Sequence, residues 1–326
     1  MATKMLNVPN HGFEHECKEI HDSWGKLNRL VLDLATRTRL ERHQIRETYK
    51  AIYGQDLVKR LQEAETSGSR TEAAGISPKL CAALSLWMLD VHERDAVLVR
   101  EALQQDVTNY KALVEVFVGR KSSHILLMKQ IYQTRFRRQL DQDIINIEPP
   151  SPYQKILVAL VASHKAHHAD VSQHIAKCDA RRLYETGDGS PGAIEEAVVL
   201  EVLSKRSIPQ LKLTFSSYKH IYGHDYTKSL KRGNSWEFEN ALGVVAKCIY
   251  NPPNYYAKTL YRSIKGYAID KAAIERVIIS RCEVDMDEIQ RVYKKKYGDQ
   301  LGDSLCETIP SGDYRDFLVA LATKTN

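Results

Sequence analysis

One spacing of an arginine and two aromatic residues recurs four times along the chain. Each arginine is followed by a tyrosine twelve residues later, and by a second aromatic residue four positions after that. The four sets are Arg37, Tyr49, Tyr53; Arg120, Tyr132, Phe136; Arg206, Tyr218, Tyr222; and Arg281, Tyr293, Tyr297. A fixed repeat of this kind indicates an architecture that uses one structural unit several times. The chain is therefore predicted to contain four repeats.

The periodicity inside a repeat is helical. Ile45, Tyr49 and Ile52 fall at i, i+4 and i+7, which places them on one helix face. A glycine follows the second aromatic residue in three repeats and would end a helix there. The second repeat has Arg137 at this position, which predicts a weaker helix end. Few stretches alternate as strands do, so we predict an all-α protein with about five helices per repeat.

The repeats also set the predicted domain boundaries. A short tail covers residues 1–15, and the repeats cover 16–89, 90–163, 164–250 and 251–326. The predicted linkers are Asp90–Asp95, His164–Asp179 and Asn251–Asn254. The last of these contains two prolines, which cannot continue a helix.

Composition excludes several classes of protein. The formal net charge of +6 is too small and too dispersed for a dedicated nucleic-acid binder. The longest apolar run, Ile156–Ala162, is too short to span a bilayer. No nucleotide-binding loop or nucleophile motif occurs, so no enzyme activity is predicted. The six cysteines are widely spaced and are expected to be buried thiols in a reducing compartment.

Four segments resemble plant annexins and carry the comparison with that family. They are Ile45–Leu57, Trp87–Ala96, Ser280–Ile289 and Ser311–Leu318. The resemblance extends from about residue 16 to the end of the chain. It implies four five-helix repeats packed as a curved disc. It also implies that the convex face binds acidic phospholipids in a calcium-dependent manner.

The resemblance places the best candidate calcium site in repeat four. The loops of this family read Lys-Gly-x-Gly-Thr, and calcium is bound by their backbone carbonyls and a distant carboxylate. Here the loop is Lys265–Ile269, where Ala268 replaces the second glycine. The family's acid would fall near Thr308, and Glu307 is the nearest carboxylate. The predicted metal ligands are Ile264, Gly266, Ala268 and Glu307.

The corresponding loops of the other repeats have diverged further. Repeat one has Asp22–Gly25 in place of the loop, and Glu63, Glu65 and Glu72 compete as the distal acid. Repeat two, with Gln104–Thr108, has no glycine, and Gly187–Gly192 of repeat three is interpreted as a long turn. We therefore predict weak calcium binding.

Three residues of these loops are predicted to contact the membrane: Trp24, Tyr267 and Lys265. Tryptophan and tyrosine favour the bilayer interface because the ring is apolar and one polar group stays in water. Ordinary packing remains the alternative for both rings.

The combined hypothesis is a peripheral membrane protein that binds acidic phospholipids with the aid of calcium. We expect a cytoplasmic protein at the plasma membrane, monomeric or weakly self-associating, that organises membranes under stress. The alternative is a calcium-independent interaction protein on the same fold. That protein would bind actin, other annexins or lipid by charge alone.

Overall fold

The computed structural model describes residues 12–24, 28–66, 77–162, 171–187, 189, 194–230 and 236–324. All regular secondary structure in these ranges is helical, which confirms the all-α prediction. The described helices form four successive groups of five, which confirms the repeat architecture.

The helices are numbered in chain order. Repeat one contains α1 (Glu14–Asp22), α2 (Asn28–Thr36), α3 (Arg39–Tyr53), α4 (Leu57–Thr66) and α5 (Pro78–Met88). Repeat two contains α6 (Val91–Gln104), α7 (Tyr110–Val118), α8 (Ser122–Phe136), α9 (Leu140–Ile145) and α10 (Pro152–Val161). Repeat three contains α11 (Gln173–Glu185), α12 (Glu196–Lys205), α13 (Ile208–Tyr222), α14 (Tyr226–Ser229) and α15 (Trp236–Tyr250). Repeat four contains α16 (Pro252–Lys265), α17 (Lys271–Arg281), α18 (Met286–Tyr297), α19 (Leu301–Thr308) and α20 (Asp313–Ala322).

The chain divides into two compact units. One comprises residues 1–90 and 257–326 and so contains repeats one and four, apart from the first residues of α16. The other comprises residues 91–256 and contains repeats two and three.

The first tyrosine of every set lies in the core of its repeat. Tyr49, Tyr132, Tyr218 and Tyr293 are completely inaccessible to solvent. The hydroxyl of Tyr132 donates a hydrogen bond of 2.7 Å to Asp143, and burial raises the pKa of this tyrosine to about 12. Tyr218 and Ser229 share a hydrogen bond of the same length. The tyrosines therefore define the architecture, as their spacing indicated.

The second aromatic residue of every set contacts the first helix of its own repeat. In three repeats the partner is another ring, stacked nearly parallel: His21 on Tyr53 at 3.9 Å, Tyr184 on Tyr222 at 3.9 Å, and Tyr261 on Tyr297 at 3.7 Å. In repeat two the guanidinium of Arg100 lies 6.0 Å from the Phe136 ring instead. The repeated spacing thus joins the first and third helices of each repeat.

The third helix of each repeat ends at a residue in the left-handed conformation. Gly54, Gly223 and Gly298 adopt φ values of 68°, 75° and 87°. Arg137 takes the same conformation, with φ 56°, and its N–H donates to the carbonyl of Gln133 at 2.9 Å. A non-glycine residue pays of order 1 kcal/mol for this conformation. The helix of repeat two therefore ends where the other three do, although it lacks the glycine.

The repeated arginine forms a two-pronged ion pair with a carboxylate. Arg120 contacts Asp95 at 2.5 and 3.1 Å, and Arg206 contacts Asp179 at 2.7 and 3.1 Å. Both acids lie on the first helix of their repeat and are buried. In repeat four Arg281 instead binds Asp285, four residues further along the chain.

Three expectations about local structure were wrong. Helix α6 begins at Val91 and α11 at Gln173, so most of Asp90–Asp95 and the end of His164–Asp179 are helical. Of the predicted linker Asn251–Asn254, only Asn251 lies between helices, because Pro252 and Pro253 form the first turn of α16, where an amide N–H is not required for helical hydrogen bonding. Cys178 and Cys306 are exposed because they lie on the solvent faces of α11 and α19, whereas the other four cysteines are buried.

The Asp95 carboxylate is predicted to be a major source of stability. Burial alone would raise its pKa, yet hydrogen bonds from His124 and Arg120 hold the pKa below its ordinary value. Asp95→Asn should lower the free energy of unfolding by about 3–5 kcal/mol, because it leaves the largely buried Arg120 guanidinium without its anionic partner. Because the folded pKa is depressed, this contribution is present above the unfolded pKa. It is lost as the pH falls through the folded value.

Urea unfolding at neutral pH measures this difference. Asp141→Asn is the control, since Asp141 is an exposed carboxylate of the same repeat paired with Lys129 at 2.8 Å. It should cost less than about 1 kcal/mol. Equal losses in the two variants would contradict the role given to Asp95.

Candidate functional site

The loop between α16 and α17 carries the predicted site of repeat four. Asp270 closes this loop, because its side chain accepts a hydrogen bond of 2.9 Å from the N–H of Ala273. The N–H of Asp270 donates in turn to the carbonyl of Ser263 at 3.0 Å. Both ends of the loop are thus fixed by the N-cap residue of α17.

The loop between α6 and α7 of repeat two is closed in the same way. The side chain of Asn109 accepts from the N–H of Ala112 at 3.1 Å, and its own N–H donates to Ala102 at 3.0 Å. In both loops the N-cap residue reaches the residue seven positions before it. The loop of repeat two therefore keeps this closure without any glycine.

The backbone of the repeat-four loop does not use the left-handed conformation. Among the described non-glycine residues, Arg137 alone has a positive φ, so Ala268 does not bear the strain that a left-handed conformation would impose on an alanine. Gly266 also lies outside that region, and the reason for a glycine there is steric. A Cβ atom on Gly266 would collide with the carbonyl oxygen of Arg262.

Apolar side chains lie at the tips of both loops. Tyr267 is fully exposed, and Ile269 is exposed beside it. Val107, at the tip of the repeat-two loop, has 81% of its surface exposed. Sequence reasoning did not select Val107. When the two loops are aligned on their N-cap residues, Val107 takes the position of Ala268. This alignment could have identified Val107 as a residue of the loop tip.

Glu307 lies next to a lysine of the same site. The Lys265 ammonium donates a hydrogen bond of 2.7 Å to one carboxylate oxygen of Glu307, and this bond raises the pKa of Lys265. The Glu307 side chain is 66% exposed. The structure thus brings together two residues that were predicted for different roles, one in membrane contact and one in metal binding.

In the candidate loop of repeat one, the Trp24 ring packs against an arginine of the same chain. The guanidinium of Arg60, on α4, lies over the Trp24 ring at 3.9 Å, and Trp24 is half-buried. Of the competing acids, Glu63 contacts Lys59 and Gln55. Burial raises the pKa of Glu65. Gly25 and Glu72 lie outside the described residues, as do Asp188 and residues 190–193 of the repeat-three turn.

Comparison with known proteins identifies the family. The sequence model of the annexin family matches residues 26–73, 179–245 and 255–321, more than half of the chain. The chain belongs to the annexin family. Annexins are generally non-enzymatic proteins that typically bind phospholipids in a calcium-dependent manner.

Individual annexins align over nearly the whole chain. Annexin A13 of Homo sapiens is 33% identical over 88% of this chain and 87% of its own length. The annexin-like protein RJ4 of Fragaria ananassa is 29% identical over 99% of both proteins. The structure of annexin III is similar to this one with a TM-score of 0.82, and the two sequences are 26% identical. The match covers 100% of this chain and 97% of annexin III. Calcium-bound annexin (Sm)1, at 22% identity, shares the fold with a TM-score of 0.78 over 96% of this chain and 90% of its own.

The repeat-four loop of this annexin has the right kind of donors for calcium. Carbonyl and carboxylate oxygens are the ligands that calcium prefers, and Ile264, Gly266, Ala268 and Glu307 could supply them. No group of three or more histidine, cysteine or acidic side chains in the described ranges could hold a metal. Any ion there would depend on backbone carbonyls and would have to displace the Lys265 ammonium from Glu307.

The described helices of this annexin also bear on how it could meet a membrane. None of them is both long enough and apolar enough to cross a bilayer. Contact through the loops between helices is compatible with this finding.

The Lys265–Glu307 pair predicts an unusual effect on calcium affinity. Lys265→Gln should tighten calcium binding by about threefold, because the ion no longer competes with an ammonium for Glu307. Titration calorimetry without lipid measures this directly. Lys294→Gln, which removes the same charge from an exposed site on α18, is the control and should leave the affinity unchanged. Weaker binding in Lys265→Gln would contradict the competition.

Proposed function

We propose that this annexin is a peripheral membrane protein that docks on acidic phospholipids through the α16–α17 loop, with the help of calcium. The observation that carries the proposal is the complete exposure of Tyr267 beside a carboxylate and a cation. Tyr267 and Ile269 together form an exposed apolar surface at the tip of this loop. A lipid headgroup layer would accept both side chains.

Each residue of the loop has a distinct part in this proposal. Tyr267 and Ile269 would enter the interfacial region of the bilayer. The carbonyl oxygens of Ile264, Gly266 and Ala268, together with Glu307, would hold the calcium ion. A calcium ion held by these residues would supply positive charge that attracts a lipid phosphate to the loop. Lys265, once released from Glu307, would add a favourable charge at the anionic surface.

The proposed calcium affinity is weak. One exposed carboxylate and a few carbonyls leave several coordination positions to water and lipid, which is typical of sites in the range of about 10⁻⁴–10⁻³ M. Competition from Lys265 weakens the binding further. A membrane rich in acidic lipid lowers the calcium requirement because it supplies the missing ligands.

A second candidate function is favoured by the same ion pair. Lys265 neutralises Glu307 without any metal, so the loop could approach an anionic surface in the absence of calcium. Such docking would depend on charge alone and would weaken steeply as salt is added. The same surface could then serve an acidic protein partner such as actin or another annexin.

The cellular setting belongs to the proposal as well. Docking on acidic phospholipid is consistent with a cytoplasmic protein at the inner face of the plasma membrane, where such lipids are enriched. A role in organising membranes under stress, and a monomeric or weakly associating state, complete the proposal.

Co-sedimentation with phosphatidylserine vesicles across calcium concentration tests the proposed site. Glu307→Gln should raise the calcium needed for half-maximal binding by about tenfold, because it removes the carboxylate ligand. Asp303→Asn, which neutralises an exposed acid on the same helix, should leave the requirement unchanged.

The other outcomes discriminate between the candidates. Calcium-dependent binding that is equal in wild type and Glu307→Gln would place the ion at another loop. Binding that survives a chelator but disappears at high salt would favour the second candidate. Absence of binding under all conditions would exclude both.

The exposed ring of Tyr267 leads to a separate prediction about vesicle binding. Tyr267→Ala should weaken vesicle binding about fivefold at saturating calcium, because an interfacial side chain is lost. Calcium affinity measured without lipid should not change. The control is Ile52→Ala, which removes an exposed apolar side chain from helix α3. Equal effects of the two substitutions would show that the loop has no special contact with lipid.

A further inference from the structure

We propose that Arg60 of repeat one binds a phosphate oxyanion of an acidic phospholipid directly, without calcium. This inference rests on the proposed membrane docking, but it concerns a different repeat and a different chemistry. The residues that carry it are Arg60, Trp24, His21 and Tyr49, all in the unit that contains repeat one.

The Arg60 guanidinium is held in place from three directions. Its Nη1 group donates to the Tyr49 hydroxyl oxygen and to Nδ1 of His21, the latter at 2.9 Å. The Trp24 ring lies under the guanidinium plane at 3.9 Å. Tyr49 is completely buried, so this anchoring point belongs to the core of the repeat. A long side chain that is usually mobile is therefore oriented before any ligand arrives.

The hydrogen bonds also fix the state of the histidine in this arrangement. The Tyr49 oxygen accepts from Arg60, and its own hydroxyl is left to donate to Nδ1 of His21, 3.0 Å away. Nδ1 therefore acts as an acceptor, which requires an imidazole unprotonated at that atom. The His21 ring stacks on Tyr53 at 3.9 Å and keeps this orientation. Arg60 remains the cationic group of the cluster.

The Nε and Nη2 atoms of Arg60 form an open edge of the guanidinium, called the fork below, that could bind an oxyanion. In seven other arginines of the chain, Nε and Nη2 together grip a carboxylate: Arg37, Arg39, Arg120, Arg138, Arg206, Arg281 and Arg315. The same two atoms of Arg60 have no hydrogen-bond partner among the described residues. Neither atom is buried, so this edge of the guanidinium reaches solvent.

No nearby carboxylate of the described chain occupies the fork. Glu63, one turn further along α4, contacts Lys59 and Gln55. Asp22, at the end of α1, is exposed and forms no ion pair with Arg60. The Nε–Nη2 edge of a guanidinium matches two oxygens of a phosphate or carboxylate. The residues that the structure describes thus leave this edge of Arg60 open to an oxyanion ligand.

The surroundings favour a lipid phosphate as that ligand. Trp24 lies in the segment that corresponds to the family's calcium loop, and tryptophan prefers the headgroup level of a bilayer. The position of Arg60 in the repeat, eleven residues after the first tyrosine, is taken by Asp143, Ser229 and Ser304 in the other repeats. Repeat one thus has a cation at a position where the other three repeats have an acid or a hydroxyl group.

Vesicle binding in excess chelator tests this site. The full-length protein is mixed with phosphatidylserine vesicles at low salt, and binding is compared between wild type, Arg60→Gln and Arg60→Lys. Arg60→Gln should weaken binding about tenfold, because a charge-assisted pair is lost. Arg60→Lys should lie between the two, since it keeps the charge but loses the planar fork. Equal binding in all three proteins would overturn the proposal.

The matched control is Lys59→Gln, which removes the same charge from the neighbouring residue of α4. It should change binding less than about twofold. A loss as large as that of Arg60→Gln would mean that general charge, not the fork, is responsible, and would overturn the site. Calcium-dependent binding at high calcium should persist in Arg60→Gln, which also shows that this variant is folded. Failure of wild type to bind in chelator would overturn the Arg60 site while leaving the calcium-dependent function intact.

Inorganic phosphate distinguishes a lipid from a soluble ligand. Phosphate should release wild-type protein from the vesicles in chelator but leave the residual binding of Arg60→Gln unaffected. A phosphate-induced fluorescence change that is present in wild type and absent in Trp24→Phe would locate the anion beside that ring. If phosphate produces this change while vesicle binding is independent of Arg60, the site takes a soluble anion. The lipid assignment is then overturned.

Discussion

The buried pair between an arginine and a carboxylate holds the first two helices of a repeat in register. Arg120 and Arg206 follow the second helix of their repeats, and Asp95 and Asp179 lie on the first. Each of these arginines follows the end of the second helix that is remote from the loop, so the pair fixes the two helices that carry the loop without touching the loop itself. Breaking such a pair by removing one partner costs several kcal/mol, which exceeds the contribution of most surface contacts.

Repeat four departs from this arrangement, and the departure affects its candidate site. Arg281 forms its two-pronged ion pair with Asp285, four residues further along the chain. The loop is closed by Asp270, which bonds to Ser263 on one side and caps α17 on the other. The position of Glu307 relative to this loop is set by Lys265, across a hydrogen bond of 2.7 Å. The acid is consequently held by the group that a calcium ion would have to displace.

The sequence was sufficient to predict the repeats, the helical class and the buried tyrosines, because these depend on spacing within each repeat. Local boundaries were less predictable. From the sequence, Pro252 and Pro253 could lie in a linker or in the first turn of a helix. The structure shows that they begin a helix. The sequence placed Glu307 near the Lys265–Ile269 loop, but it did not predict the ion pair, because Lys265 was assigned to membrane contact and Glu307 to metal binding. Arg60 did carry a signal, its position eleven residues after Tyr49, but its significance depends on which of its nitrogen atoms are occupied.

Repeats one and four each have a cationic side chain in contact with a residue predicted to belong to a membrane or calcium site. Arg60 packs on Trp24 in repeat one, and Lys265 pairs with Glu307 in repeat four. The two cations differ in what they leave open. The Lys265 ammonium is paired with Glu307 and must exchange partners to meet a lipid, whereas the Arg60 fork is oriented and open to solvent. An ammonium that exchanges partners gains little net energy at a surface, because one ion pair replaces another. A pre-oriented guanidinium forms a new pair without losing an old one, so repeat one has the stronger physical basis for docking in the absence of calcium.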